Sequence, residues 1–227
     1  MNLVDWEHPA NPEQGNDYVN LLATLRAYLP MPRFCLTTAL PAAEWALVNI
    51  PLARAAQYVN FINVMAYDFC GPWEKLCGHH AQLFTPTQPY SSAASISVQS
   101  AISYYLSQGV PPKQLVLGVP TFGRSFLNTN GVGHPYSGQG GDEGTFEYRE
   151  LPRPGAEEQF DATLGATFCH GGDGGFVTYD NPVTVKMKAK FVKQNDLQGL
   201  FYWTGTSDAP GARSLVYSGY EELHSGR

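Results

Sequence analysis

Strand-like and helix-like segments alternate along this chain, and that alternation limits its fold more than any other feature. Strand candidates rich in β-branched and aromatic residues lie at about 3–6, 34–39, 59–67, 115–119 and 200–203. Between the first two, DYVNLLATLRAYL at 17–29 places Tyr18, Leu21, Leu22, Leu25 and Leu29 at helical spacing. Asn16 or Asp17 can cap that helix, and Pro30 and Pro32 stop it. Further helical patterns cover 51–57, 94–108 before Gly109, 180–194 with Pro182 in its first turn, and 212–223. Strands alternating with helices predict a parallel α/β sheet.

From 127 to about 178 the pattern changes. Glycines cluster, apolar periodicity is lost, and short strand-like pieces such as TFEYREL appear. The segment is too long for an ordinary loop and reads as an inserted subdomain. GGDGG at 171–175 has no preceding strand, following helix or lysine of the kind a phosphate cradle needs, so it reads as a turn. A doubly wound nucleotide-binding fold is disfavoured accordingly.

At 227 residues the chain can bury a sizeable core. Its net charge of -6 comes from acids spread along the sequence, which argues against nucleic acid or an anionic membrane and suits a neutral or cationic ligand. No apolar run approaches the roughly 20 residues of a membrane span, and the first residues lack the pattern of a signal peptide. Any export signal would then lie outside this sequence. Cys70 and Cys77 bracket a short loop and could pair locally, but small, apolar, unpaired cysteines are the expectation for all four. Cys77, His79 and His80 lack the usual spacing of zinc ligands.

Polar and aromatic residues gather at the carboxyl ends of different strands. Asp5 and Glu7 close the first on one face, with Trp6 on the other; Tyr67 and Asp68 close the third, and Trp203 the last. In parallel α/β barrels this end carries catalytic residues. Singly, each position could as well be a helix cap or a core aromatic.

VDWEHP, NVMAYDFCGPW, GVPTFGRSF, FVTYDNP and GLFYW, in this order, resemble the chitinases of glycoside hydrolase family 18, closest to the fungal secreted kind. The resemblance covers nearly the whole chain. It implies a (β/α)8 TIM-barrel type fold with a small inserted α+β domain, of which this chain carries about the last five β/α units. Residues 1–126 would be the first barrel segment, family strands 4 to 7; 127–178 the insertion; and 179–227 the last helix and strand 8. Five strands cannot close an eight-strand barrel, so unpaired edges open to self-association are expected.

The resemblance also implies the chemistry. Glu7 would be the general acid that cleaves β-1,4 linkages in chitin or its oligosaccharides, with the substrate's own acetamido group as nucleophile. Neighbouring carboxylates resist double ionisation, so Asp5 would help keep a proton available on Glu7 and then stabilise the cationic intermediate. Tyr67 would donate to the acetamido carbonyl, and Asp68 would contact the distorted sugar. Trp203 would form its floor, Met65 would line the pocket, and Trp73, Trp45 and Arg124 are further substrate-contact candidates. No metal or organic cofactor is implied, and the location would be extracellular.

Two departures stand out. The family motif's middle aspartate falls on Leu3, or near Asn2 if Val4 is an extra residue, which is expected to slow turnover or shift the pH optimum. The family's Tyr-Gly-Arg tyrosine is Phe122. The competing readings are a chitin-binding, lectin-like protein with impaired catalysis and an inactive truncated fragment; the presence of Glu7 favours the enzyme.

Overall fold

A computed structural model describes residues 2–225. β1 (Asn2–Asp5) is followed by α1 (Pro12–Tyr28), which begins earlier than the spacing from Asp17 predicts. The cap is Asn11, whose Oδ1 accepts the Gln14 N–H at 2.9 Å, and Pro12 fills the first turn, where no N–H is needed. Gly15 hides this start because it reads as a loop residue. A Cβ there would lie 1.7 Å from the Asn49 carbonyl oxygen, so close packing rather than a turn explains it.

The chain continues through β2 (Leu36–Pro41), the short α2 (Glu44–Leu47) and α3 (Leu52–Ala56), β3 (Phe61–Met65), α4 (Val98–Ser107) and β4 (Leu115–Pro120). Next come β5 (Phe122–Phe126), β6 (Thr145–Glu147), β7 (Ala156–Asp161), β8 (Ala166–Gly171) and β9 (Phe176–Tyr179). The last elements are α5 (Pro182–Gln194), β10 (Gly199–Trp203) and α6 (Leu215–His224). Ser97 with Ser100 and Asn181 with Thr184 form reciprocal caps that start α4 and α5.

Two five-stranded sheets result. The first is parallel in the order β1-β2-β3-β4-β10 and contains all the strands expected for it; the second is antiparallel in the order β6-β5-β9-β8-β7. The antiparallel sheet therefore begins at Phe122, ahead of the change of texture at Leu127, and ends at Tyr179. GGDGG is the tight connection between β8 and β9. Among the described residues β1 pairs only with β2, and β10 only with β4. No described helix is long and apolar enough to cross a membrane.

Parallel register puts the strand ends together. Asp5 lies opposite Ala39, Pro41 opposite Met65, and Trp203 opposite Pro120, all at the carboxyl edge. Behind the sheet, Tyr18, Leu22, Leu36, Ile62, Val64, Ile102, Tyr105 and Leu117 form the larger core. Tyr105 spends its hydroxyl on the Pro41 carbonyl at 2.7 Å, which satisfies a polar group buried at that edge. A second core, with Val119, Tyr148, Val177, Tyr179, Val185 and Leu215, joins the antiparallel sheet to α5 and α6. At its margin the fully buried Lys188 of α5 is paired with the equally buried Asp180.

Candidate active site

The carboxyl edge of the parallel sheet opens into a cavity of about 1300 Å3. Asp5, Glu7, Met65, Tyr67, Asp68, Trp45, Trp73 and Trp203 all line it, so eight of the nine expected site residues share one space. Trp6 turns the other way and packs against Tyr18 of the core, with ring centroids 6.1 Å apart. The strand itself ends at Asp5; the peptide bonds after Glu7 and after Trp203 are cis.

Three tryptophans at the cavity remain open to solvent: Trp45 is 71%, Trp73 57% and Trp203 54% exposed. Exposing so much aromatic surface around one concavity is costly unless a ligand covers it. The nearby acids give that surface polar anchors. A pyranose has an apolar C–H face and hydroxyl edges, and this lining complements both.

Tyr67 is set between Phe122 and Phe201, at centroid distances of 5.9 and 6.3 Å. Its hydroxyl is held well above the ordinary tyrosine range, first by burial and then by the charges of Asp68, Asp5 and Glu7. The phenol therefore keeps its proton and stays a donor. A group that must hydrogen-bond an electron-rich oxygen over a broad pH range needs this environment.

Arg124 lies outside this cavity. From β5 it grips Asp68 with two prongs, Nε to Oδ1 at 2.7 Å and Nη2 to Oδ2 at 2.8 Å, while its guanidinium stacks over Trp73 and Phe122. It lines an adjoining space of about 670 Å3 that shares Asp68 and Trp203 with the first. Asp68 needs such support, because its backbone occupies the left-handed region at φ 61°, an uncommon conformation outside glycine. Burial alone would raise its carboxyl; the facing His80 ring and the Arg124 guanidinium outweigh burial and hold it at about 2.

That depression fixes a pH dependence. Stability from the charged Asp68 is fully present above the ordinary carboxylate value of about 4 and is lost as pH falls towards 2. Asp68→Asn is expected to lower the melting temperature at pH 7, with the gap to the wild type narrowing between pH 4 and 2. Thermal melts across that range check it; a gap independent of pH would contradict the assignment.

Several neighbours were not legible from the sequence. His8, Glu44, Asn63 and Glu74 also line the cavity. His79 and His80, set aside as zinc ligands, are buried, and each faces a carboxylate: His79 Nε2 lies 3.8 Å from Asp161 Oδ2, and His80 Nδ1 3.5 Å from Asp68 Oδ1. Adjacent histidines in a mostly apolar loop were the available signal. All four cysteines are free; Cys70 and Cys77 are buried with Phe126 and Phe176.

Residues 4–208 match the sequence profile of the glycosyl hydrolases family 18. The chain belongs to this family. Chitinase 1 of Aphanocladium album is 31% identical over 237 aligned positions, spanning 98% of this chain and 55% of that protein. Sporulation-specific chitinase 2 of Saccharomyces cerevisiae is 32% identical, over 97% of this chain and 49% of its own length. This family member thus spans about half the length of the curated relatives it matches. Among solved structures, a class V chitinase mutant from Nicotiana tobaccum in complex with NAG4 superposes with a TM-score of 0.86 at 26% identity, covering 99% of this chain and 68% of that one. A plant class V chitinase mutant from Cycas revoluta in complex with (GlcNAc)3 gives 0.84 at 29% identity, covering 97% and 66%.

Proposed function

We propose that this chain hydrolyses β-1,4 linkages between N-acetylglucosamine units in chitin or its oligosaccharides, with retention of configuration. The observation that carries the reading is the convergence of Asp5, Glu7 and Tyr67 with Trp203 on one cavity in a family 18 chain. Glu7 protonates the glycosidic oxygen while the acetamido carbonyl oxygen of the same sugar attacks the anomeric carbon, so the C–O bond breaks and an oxazolinium ion forms. Asp5 accepts from the acetamido N–H and offsets the positive charge. Tyr67 donates to the acetamido oxygen, orienting it for attack. Water then opens the ring of the intermediate and returns a proton to Glu7. Trp203 supports the sugar at the cleavage point and Asp68 bonds one of its hydroxyls, while Trp45, Trp73 and Met65 extend the contact; Arg124 acts through Asp68. The reaction calls for no cofactor beyond these side chains and the acetamido group.

On the same reading the parallel sheet corresponds to strands 4 to 8 of a β/α barrel, and 127–178 to an α+β insertion. The edges of β1 and β10 are the natural place for self-association. An extracellular location suits a polymeric chitin substrate.

The test is cleavage of N-acetylchitooligosaccharides by the purified 227-residue chain. Tight binding without cleavage would favour the lectin-like reading, for which there is one specific argument: the motif's middle carboxylate is missing, its place falling on Leu3, 48% exposed in the cavity wall, or near Asn2.

A further inference from the structure

His80 is a buried polar side chain beside the site that the cleavage chemistry leaves unused. Its ring is fully buried, and neither ring nitrogen has a hydrogen-bond partner among the described residues. Burying an imidazole with nothing to bond is costly, so such a group calls for an explanation. The loop that carries it is tied to the site, because the His80 carbonyl accepts the Phe69 N–H at 3.1 Å, one residue beyond Asp68. The ring packs 5.1 Å from that of Phe122 and presents Nδ1 to Asp68 Oδ1 at 3.5 Å.

The acceptor positions of Asp68 show what this arrangement does. A carboxylate has about four of them, two on each oxygen. Arg124 fills one on Oδ1 and one on Oδ2. His80 faces the second on Oδ1, which leaves one on Oδ2 for a group in the cavity. A separation of 3.5 Å is long for a hydrogen bond, and a small rotation of the ring would close it.

We propose that His80 is a positioning residue: as the neutral Nδ1–H tautomer it occupies Oδ1 of Asp68, so that Oδ2 presents the single free acceptor to a sugar hydroxyl. This rests on the chitinase reading for the ligand, though not for the tautomer. The charges around the ring are those of Asp68, Arg124 and Asp180, and burial, the largest influence, disfavours a second proton on it. His80 therefore acts through a neutral N–H, with Arg124 supplying the positive charge.

Two readouts test the proposal. Long-range proton–nitrogen NMR of the intact chain at pH 7, with the His80 signals identified by their loss in His80→Asn, is expected to show a neutral ring protonated at Nδ1. An Nε2-protonated or doubly protonated ring would overturn the proposal. For hydrolysis, His80→Leu is expected to raise KM for a chitooligosaccharide roughly tenfold with kcat within about threefold, the effect of one hydrogen bond to a charged group. His80→Asn, whose amide can offer an N–H to the same oxygen, is expected to recover most of that loss. An unchanged KM in His80→Leu, or no recovery in His80→Asn, would overturn the role. A wild-type chain that neither binds nor cleaves the sugar would overturn the chitinase reading and the role in sugar binding, and the NMR result would then judge the tautomer separately.

Discussion

Glu7→Gln is expected to lower kcat/KM on a chitooligosaccharide by roughly 10²- to 10⁴-fold, the usual contribution of a general acid–base group. Glutamine keeps the shape of the side chain but cannot give a proton to the leaving oxygen. Binding is expected to survive, because the tryptophans and Asp68, the proposed sugar contacts, are untouched. Calorimetric titration with an oligosaccharide alongside the rate assay separates the two effects. Loss of cleavage with retained affinity assigns the acid, whereas cleavage within about threefold of wild type would remove Glu7 from the mechanism, since even a weak general acid contributes more than that.

The largest effect on stability is expected at Lys188. This side chain is 0% exposed on α5 and bonds Asp180, itself 1% exposed just before the cap of that helix. Burial pushes the lysine's affinity for its proton down, and Asp180 opposes that shift. Lys188→Met removes one charge and strands the other, which costs about 3–5 kcal/mol and lowers the melting temperature by roughly 10 °C in a domain of this size. The double variant Asp180→Leu with Lys188→Met removes both charges and is expected to recover much of the loss. A single variant that melts like the wild type, or a double variant less stable than the single, would contradict this account of the pair.

The parts of the fold legible in the sequence are those written in local pattern. The five parallel strands are short, mostly apolar runs flanked by turn residues, so their composition and length locate them. β7, with the sequence AEEQFD, is a polar edge strand without a continuous apolar face, and nothing in its composition separates it from a loop. The start of α1 is obscured by Pro12 and Gly15, each of which normally signals a break. Within the cavity lining, Asp5, Glu7, Tyr67, Asp68 and Trp203 were legible because lying at or near a strand's carboxyl end is a one-dimensional property, whereas Met65, Trp45 and Trp73 came from the family resemblance; parallel register carries Asp5, Met65 and Trp203 to the same edge. The support behind Asp68 was not, because it depends on how β5 of the antiparallel sheet meets the end of β3. No spacing rule in the sequence links Arg124 or His80 to Asp68.

The central claim is that this cavity cleaves N-acetylated chitin chains using the substrate's own acetamido group. Proton NMR during the first minutes of N-acetylchitopentaose cleavage by the 227-residue chain tests it most directly. The account predicts that the new reducing ends appear first as the β-anomer and only later mutarotate, with no cleavage of the fully deacetylated oligomer. An initial α-anomer, or equal cleavage of the deacetylated oligomer, would contradict it.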